Sequence, residues 1–127
     1  MQLNKRPKNL NLFTLAPKMS ITAKVSIIHR ITGFLLFLSI PLVLYILQQS
    51  LISSSFYDIL HEFFSLFIVK CIYLVLIFGF IYHMCAGIRF LFLDIHKGLD
   101  LCTSKNTARI VIITSLILTF ILGYIIW

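Results

Sequence analysis

Two histidines and two arginines occupy positions where an apolar chain tolerates them least. Ser26-Ile27-Ile28-His29-Arg30-Ile31-Thr32-Gly33 opens the first long apolar run, and His83-Met84-Cys85-Ala86-Gly87-Ile88-Arg89 lies within the second. Imidazole and guanidinium groups in such segments are costly, so they mark a functional site by default. In a helix, positions i, i+3, i+4 and i+7 share a face. That rule puts the Ser26 hydroxyl, the His29 imidazole, the Arg30 guanidinium and the gap at Gly33 on one side of the first run. In the second, Gly79, His83 and Gly87 recur one helical turn apart. The histidine therefore lies between two positions open to a flat macrocycle or to a close-packed helix. A neutral histidine on a membrane helix suits axial ligation of a b-type haem. Arg30 or His29 could pair with the haem propionates through charge-assisted bonds. A serine and an arginine near the interface could hold a quinone carbonyl and stabilise its reduced oxygen before protonation. Spacing alone leaves two plainer readings open: His83 as an interhelical hydrogen-bonding group, and Arg30 and Arg89 as interfacial anchors.

The elements that must position these groups follow from composition. The chain has 127 residues, of which 60% are hydrophobic and 12% charged, with a mean hydropathy of +1.02. A chain this short forms one domain at most. It cannot hide that much apolar surface in a soluble core, so the expected class is an all-α membrane protein. Three transmembrane helices are expected, at about 25–47, 64–93 and 110–127. Residues 1–24 form a basic arm in which Pro7 and Pro17 argue against one continuous helix. It has no apolar run resembling a cleavable secretory signal. Pro41 predicts a kink in the first span. Ser55 and Asp58 have capping-box spacing, which predicts a helix start there. His61 reads as a solvated loop histidine, Lys70 as a snorkelling side chain, and residues 94–109 as a polar connection. Tyr124 and Trp127 read as interface anchors.

The net charge of +7 is confined to the flanks of the apolar runs, which excludes a groove-binding stripe and with it nucleic acid. Lys5, Arg6, Lys8, Lys18, Lys24 and Arg30 precede or open the first span, and Arg89, Lys97, Lys105 and Arg109 lie around the second connection. Only Lys70, near the start of the second span, lies at the opposite end. Positive charge stays inside, so the amino terminus is expected in the cytoplasm and the carboxyl terminus in the periplasm. Cys71, Cys85 and Cys102 form no CxxC or CxxCH, which excludes covalent c-type haem attachment. Cys71 and Cys85 read as packing residues. Depth can be reckoned as well. His83 lies about 9 Å of helical rise from Arg89, and His29 about 7–8 Å from Lys24. If both basic residues mark the inner interface, the two imidazoles share one depth.

These residues carry a resemblance. SIIHRITG at 26–33 resembles the S-I-x-H-R-x-[ST]-G signature of the succinate dehydrogenase cytochrome b556 membrane-anchor family. HMCAGIRFLFLD at 83–94 resembles its second signature, H-x-x-x-G-x-R-[HF]-x-x-x-D, and RPKNLNL at 6–12 its amino-terminal opening. The resemblance covers essentially the whole chain and implies one anchor domain over 1–127, its three transmembrane helices forming part of a helical bundle with a partner anchor subunit. It implies that His83 is an axial ligand of haem b, the second coming from another anchor subunit. Ser26 and Arg30 match quinone-contacting positions, and His29 and Arg30 match positions near the propionates. The implied partners are that second anchor, an iron–sulfur subunit and a flavoprotein subunit, which together carry electrons from succinate to ubiquinone. The implied location is a bacterial inner membrane in preference to the mitochondrial one. Phe90 departs from the histidine that many members carry after the arginine, and Arg89 and Asp94 are assigned no chemistry. A haem-free tether and a fumarate reductase anchor are the alternatives. A transporter is disfavoured because no Asp or Glu lies centrally in any span.

Overall fold

The computed structural model describes residues 16–126. The RPKNLNL opening and Trp127 lie outside the described residues. After a 3-10 turn at Ala16–Lys18, four helices follow: α1 (Ile21–Ile52), α2 (Ser54–Ser65), α3 (Phe67–Asp94) and α4 (Leu101–Ile126). Among the described residues there is no strand. Helices α1, α3 and α4 are each long and apolar enough to cross a membrane, so the expected all-α class and its three candidate spans are present.

The helices outrun the expected spans, and capping explains where they start. Ser20 caps α1 by accepting from the Ala23 N–H at 3.3 Å, so the helix begins at Ile21 and not near Val25. Pro41 lies inside α1 without interrupting it. The Ser55–Asp58 capping box does not form. Ser53 is the cap of α2, accepting from the Phe56 N–H at 3.3 Å. His61 therefore sits, exposed, on a helix and not in a loop. The apolar run that reads as one span from about residue 64 is broken at Leu66, whose ψ of 133° is extended. Ser65 Oγ ends α2 by donating to the Glu62 carbonyl at 2.6 Å, covering one of the carbonyls a helix end leaves unpaired.

Most of the expected 94–109 connection is helix. Asp100 Oδ2 accepts from the Thr103 N–H at 2.9 Å and starts α4 at Leu101. Hydrogen bonds from Thr103, the side chain ahead of the backbone, hold the Asp100 carboxyl below the usual carboxylate range. The end of α3 is closed by paired backbone bonds, His96 N–H to Leu93 O (3.0 Å) and Lys97 N–H to Phe92 O (3.1 Å). His96 takes the left-handed conformation there, φ 59°, that a helix-terminating residue of this kind adopts.

Helix α3 packs against both α1 and α4, α1 also meets α4, and α2 bridges α1 and α3. The buried cluster is Val25, Tyr82, Ala86, Ala108 and Val111, with Phe78, Cys85 and Phe90 packed around it. Val25, Ala86 and Ala108 all lie at the ends of the helices that carry the basic residues. Elsewhere large apolar side chains face outward, including Phe34, Phe37, Leu38, Val75 and Phe120. Lipid and partner helices are as apolar as these side chains, so their exposure in one chain is expected of a membrane helix. Cys71 is exposed and does not pack as expected, whereas Cys85 does.

Candidate functional site

The site is the seam where α1 crosses α3. His29 and His83 stack almost flat, with ring centroids 4.2 Å apart and planes 9° apart. The depth match expected from rise per residue is therefore realised as direct contact. Two glycines permit it. A Cβ at Gly33 would stand 2.8 Å from His83 Cε1, and one at Gly87 would stand 3.6 Å from His29 Nε2. Each histidine lies against a backbone position on the opposite helix that carries no side chain. Of the two uses the glycine spacing allows, the structure realises close helix approach.

The His83 ring is held through its Nδ1, which lies 3.1 Å from the His29 carbonyl oxygen and 3.4 Å from Thr32 Oγ1. The Thr32 hydroxyl itself donates to Ile28 O (3.0 Å) and His29 O (2.9 Å). A carbonyl only accepts, so the bond to His29 O requires the proton of neutral His83 on Nδ1. Its Nε2 then carries the lone pair, and it has no hydrogen-bond partner among the described residues. His29 Nε2 is buried and also unpartnered among them. Buried polar atoms are normally satisfied, so this seam holds an imidazole nitrogen whose bond is not made among the described residues. The Tyr82 hydroxyl, 1% exposed, donates to the Val25 carbonyl at 3.2 Å and pins α3 to α1 one turn away.

The face Ser26–His29–Arg30–Gly33 is split by packing. His29 and Gly33 meet α3, and the residues buried beside them are Val25 and Thr32. Ser26 is half-buried, and Arg30 is exposed. At about 100° per residue, Ser26 and Arg30 lie at the rim of the buried stripe and not at its centre. Sequence reasoning passes over Thr32. The available signal was its position seven residues after Val25, on the same helical face.

Arg89 is 6% exposed and belongs to the other seam. Its Nε donates to Thr107 Oγ1 (3.1 Å), and its Nη2 to Ser104 O (3.2 Å) and Ser104 Oγ (3.1 Å). It therefore fastens α3 to α4. Asp94 is exposed. Phe90 sits between the seams, its ring 5.1 Å from that of His29 and 5.4 Å from the Arg89 guanidinium carbon. No cluster of three or more metal-ligating side chains occurs among the described residues.

Residues 2–122 match the profile described as "Succinate dehydrogenase/Fumarate reductase transmembrane subunit". The succinate dehydrogenase cytochrome b556 subunit of Rickettsia felis is 34% identical over 119 residues, covering 94% of this chain and 91% of that protein. The subunit of the same name from Coxiella burnetii is 34% identical over 125 residues, covering 97% and 98%. That from Rickettsia prowazekii is 32% identical over 119 residues, covering 94% and 91%.

Proposed function

The chain belongs to the succinate dehydrogenase/fumarate reductase transmembrane subunit family, and from that premise we propose that its α1–α3 seam forms one side of a haem b site with His83 Nε2 as an axial ligand. The observation that carries this reading is the bond between His83 Nδ1 and the His29 carbonyl, which commits one ring nitrogen and leaves the other for a metal. The relatives' name, cytochrome b556, supports a b-type haem. The residues present fit it: a free imidazole lone pair, a buried nitrogen on His29 that lacks a partner, and an exposed guanidinium one position along. When bound, the haem would supply one-electron transfer. His83 would hold the iron, and His29 and Arg30 would pair with the propionates.

Ser26 and Arg30, at the rim of the same seam, contribute to a ubiquinone-reducing site. Arg30 would offset negative charge developing on a quinone oxygen, and the Ser26 hydroxyl would hydrogen-bond the carbonyl. The rim position suits this role, because the rest of the pocket must come from another chain. That chain would be a second membrane-anchor subunit, which would also provide the other ligand to the iron. An iron–sulfur subunit and a flavoprotein deliver electrons from succinate. Residues 1–127 form a single anchor domain of a succinate:quinone oxidoreductase, with the arm 1–24 on the cytoplasmic side of a bacterial inner membrane. The charge distribution supports that orientation. A second reading, the anchor of a fumarate reductase, is favoured by the profile's description, which covers both directions. No dicarboxylate chemistry falls to this chain in either case.

The test is the purified native complex. Mass spectrometry should find three further subunits, and a reduced-minus-oxidised spectrum should show a b-type haem that His83→Ala abolishes. Ser26→Ala should keep the spectrum and Arg30→Ala should weaken haem retention, and both should lower kcat/KM for quinone by about tenfold, the equivalent of losing one hydrogen bond. Unchanged haem content in an assembled His83→Ala complex would sink the axial assignment. Unchanged quinone reduction in both rim variants would leave a plain tether.

A further inference from the structure

Thr32 is the one buried polar side chain on α1, 7% exposed. Its surroundings are specific. The hydroxyl proton is engaged by the Ile28 and His29 carbonyls at 3.0 and 2.9 Å, so toward His83 Nδ1, 3.4 Å away, the oxygen can only accept. Its methyl group, Cγ2, stands 3.9 Å from where a Cβ would be at Gly79. The His83 Nδ1–H is thus shared between two acceptors, the His29 carbonyl and the Thr32 oxygen, both from one turn of α1. The stacked His29 ring limits rotation of the imidazole about its own axis.

We propose that Thr32 is a positioning residue for the haem-ligating histidine: together with the His29 carbonyl it fixes the Nδ1–H tautomer of His83 and raises the basicity of Nε2. This rests on the axial role of His83 proposed above. Acceptors on the distal N–H of a ligating imidazole push electron density toward the metal-binding nitrogen and orient the ring. A more basic ligand favours the ferric over the ferrous state, so Thr32 lowers the midpoint potential of the haem. Two acceptors at one N–H also let the chain trim that potential without touching the ligand. The carbonyl belongs to the backbone of α1 and cannot be substituted away, whereas the hydroxyl can.

The experiment compares Thr32→Val with Thr32→Ser in the purified complex. Haem content is measured by optical spectroscopy, midpoint potential by redox titration, and the ferric g-values by low-temperature electron paramagnetic resonance. Valine keeps the shape and removes the acceptor, while serine keeps the acceptor and removes the methyl group. The expected result is an upward shift in Thr32→Val of up to about 59 mV, a tenfold change in a one-electron equilibrium, with altered g-values. Thr32→Ser should stay at the parent potential. A Thr32→Val complex that loses haem while Thr32→Ser retains it at the parent potential also supports the assignment. A Thr32→Val complex with parent potential and g-values overturns it. So does equal displacement, or equal haem loss, in both variants, because packing alone then accounts for Thr32. A parent complex without haem, or one that keeps its haem in His83→Ala, would instead overturn the axial role and is read separately.

Discussion

Two polar seams cross one apolar bundle, and they are finished differently. Between α3 and α4, the buried Arg89 donates three hydrogen bonds, all to neutral acceptors on Ser104 and Thr107. Between α1 and α3, His83 uses one nitrogen for the His29 carbonyl, and His29 Nε2 is buried with no partner among the described residues. In a low-dielectric interior a polar group with its bonds made acts as a fastener, and one left short signals a missing ligand or chain. The contrast therefore separates two costly residue types that look equivalent as sequence. Arg89 holds helices together with its bonds made, whereas the α1–α3 seam keeps imidazole nitrogens uncommitted among the described residues. Phe90 touches both, lying 5.1 Å from His29 and 5.4 Å from Arg89, so the seams are adjacent without sharing a hydrogen bond.

The comparison breaks most sharply at Arg89. Arg89→Met keeps the length and apolar stem while removing the donors, and should destabilise the anchor by about 3 kcal/mol. A fall in the thermal midpoint of the complex, with its haem spectrum unchanged, is the expected outcome. A selective loss of haem would mean the seams are not independent. Gly33→Ala is the converse. Its Cβ would come 2.8 Å from His83 Cε1, against a ring already stacked and bonded, at a cost of roughly 1–3 kcal/mol. Here haem content should fall while the helices still assemble, as read by the ratio of haem to protein in the purified complex.

Gly123→Ala on α4 makes a useful partner to that variant. Its Cβ would approach Leu74 Cδ2 at 2.9 Å, but that atom is the end of a flexible side chain that can swing aside. The better helix propensity of alanine should leave thermal stability unchanged or higher by up to about 1 kcal/mol. A loss as large as that of Gly33→Ala would show that the two helix contacts are equally rigid. The smallest effect is expected outside both seams, at the Asp100 cap. Its carboxyl is held below the usual range by Thr103, so the cap contributes above the unfolded-state value and is lost as pH falls through the lowered folded one. Asp100→Asn should keep the cap and flatten that acid dependence of the thermal midpoint. Asp100→Ala should lower the midpoint across the neutral range as well.

Much of this was legible in the sequence because the membrane makes sequence rules strict. Apolar runs of bilayer length can only be helices, since lipid leaves no other partner for backbone N–H and C=O groups. The three candidate spans and the all-α class follow from that alone. Periodicity set His29 with Gly33 on one helix and His83 with Gly79 and Gly87 on another, and rise per residue put the two imidazoles level. Boundaries were less legible. Ser20, Ser53 and Asp100 each start a helix through one side-chain bond that hydropathy does not register.

What only the tertiary structure decided is which atoms face which. Sequence spacing joined Arg30 to His29 on one face, and packing moved it to the rim, because the buried stripe of α1 centres on Val25 and Thr32. Sequence marked His83 as a candidate ligand, and only the approach of the His29 carbonyl says which nitrogen carries the proton. Arg89 reads from sequence as an interfacial anchor, and only the neighbouring turn of α4 turns it into a fastener. Periodicity places a side chain on a face of its own helix. The direction, tautomer and saturation of that side chain depend on the second helix, whose position no local pattern specifies.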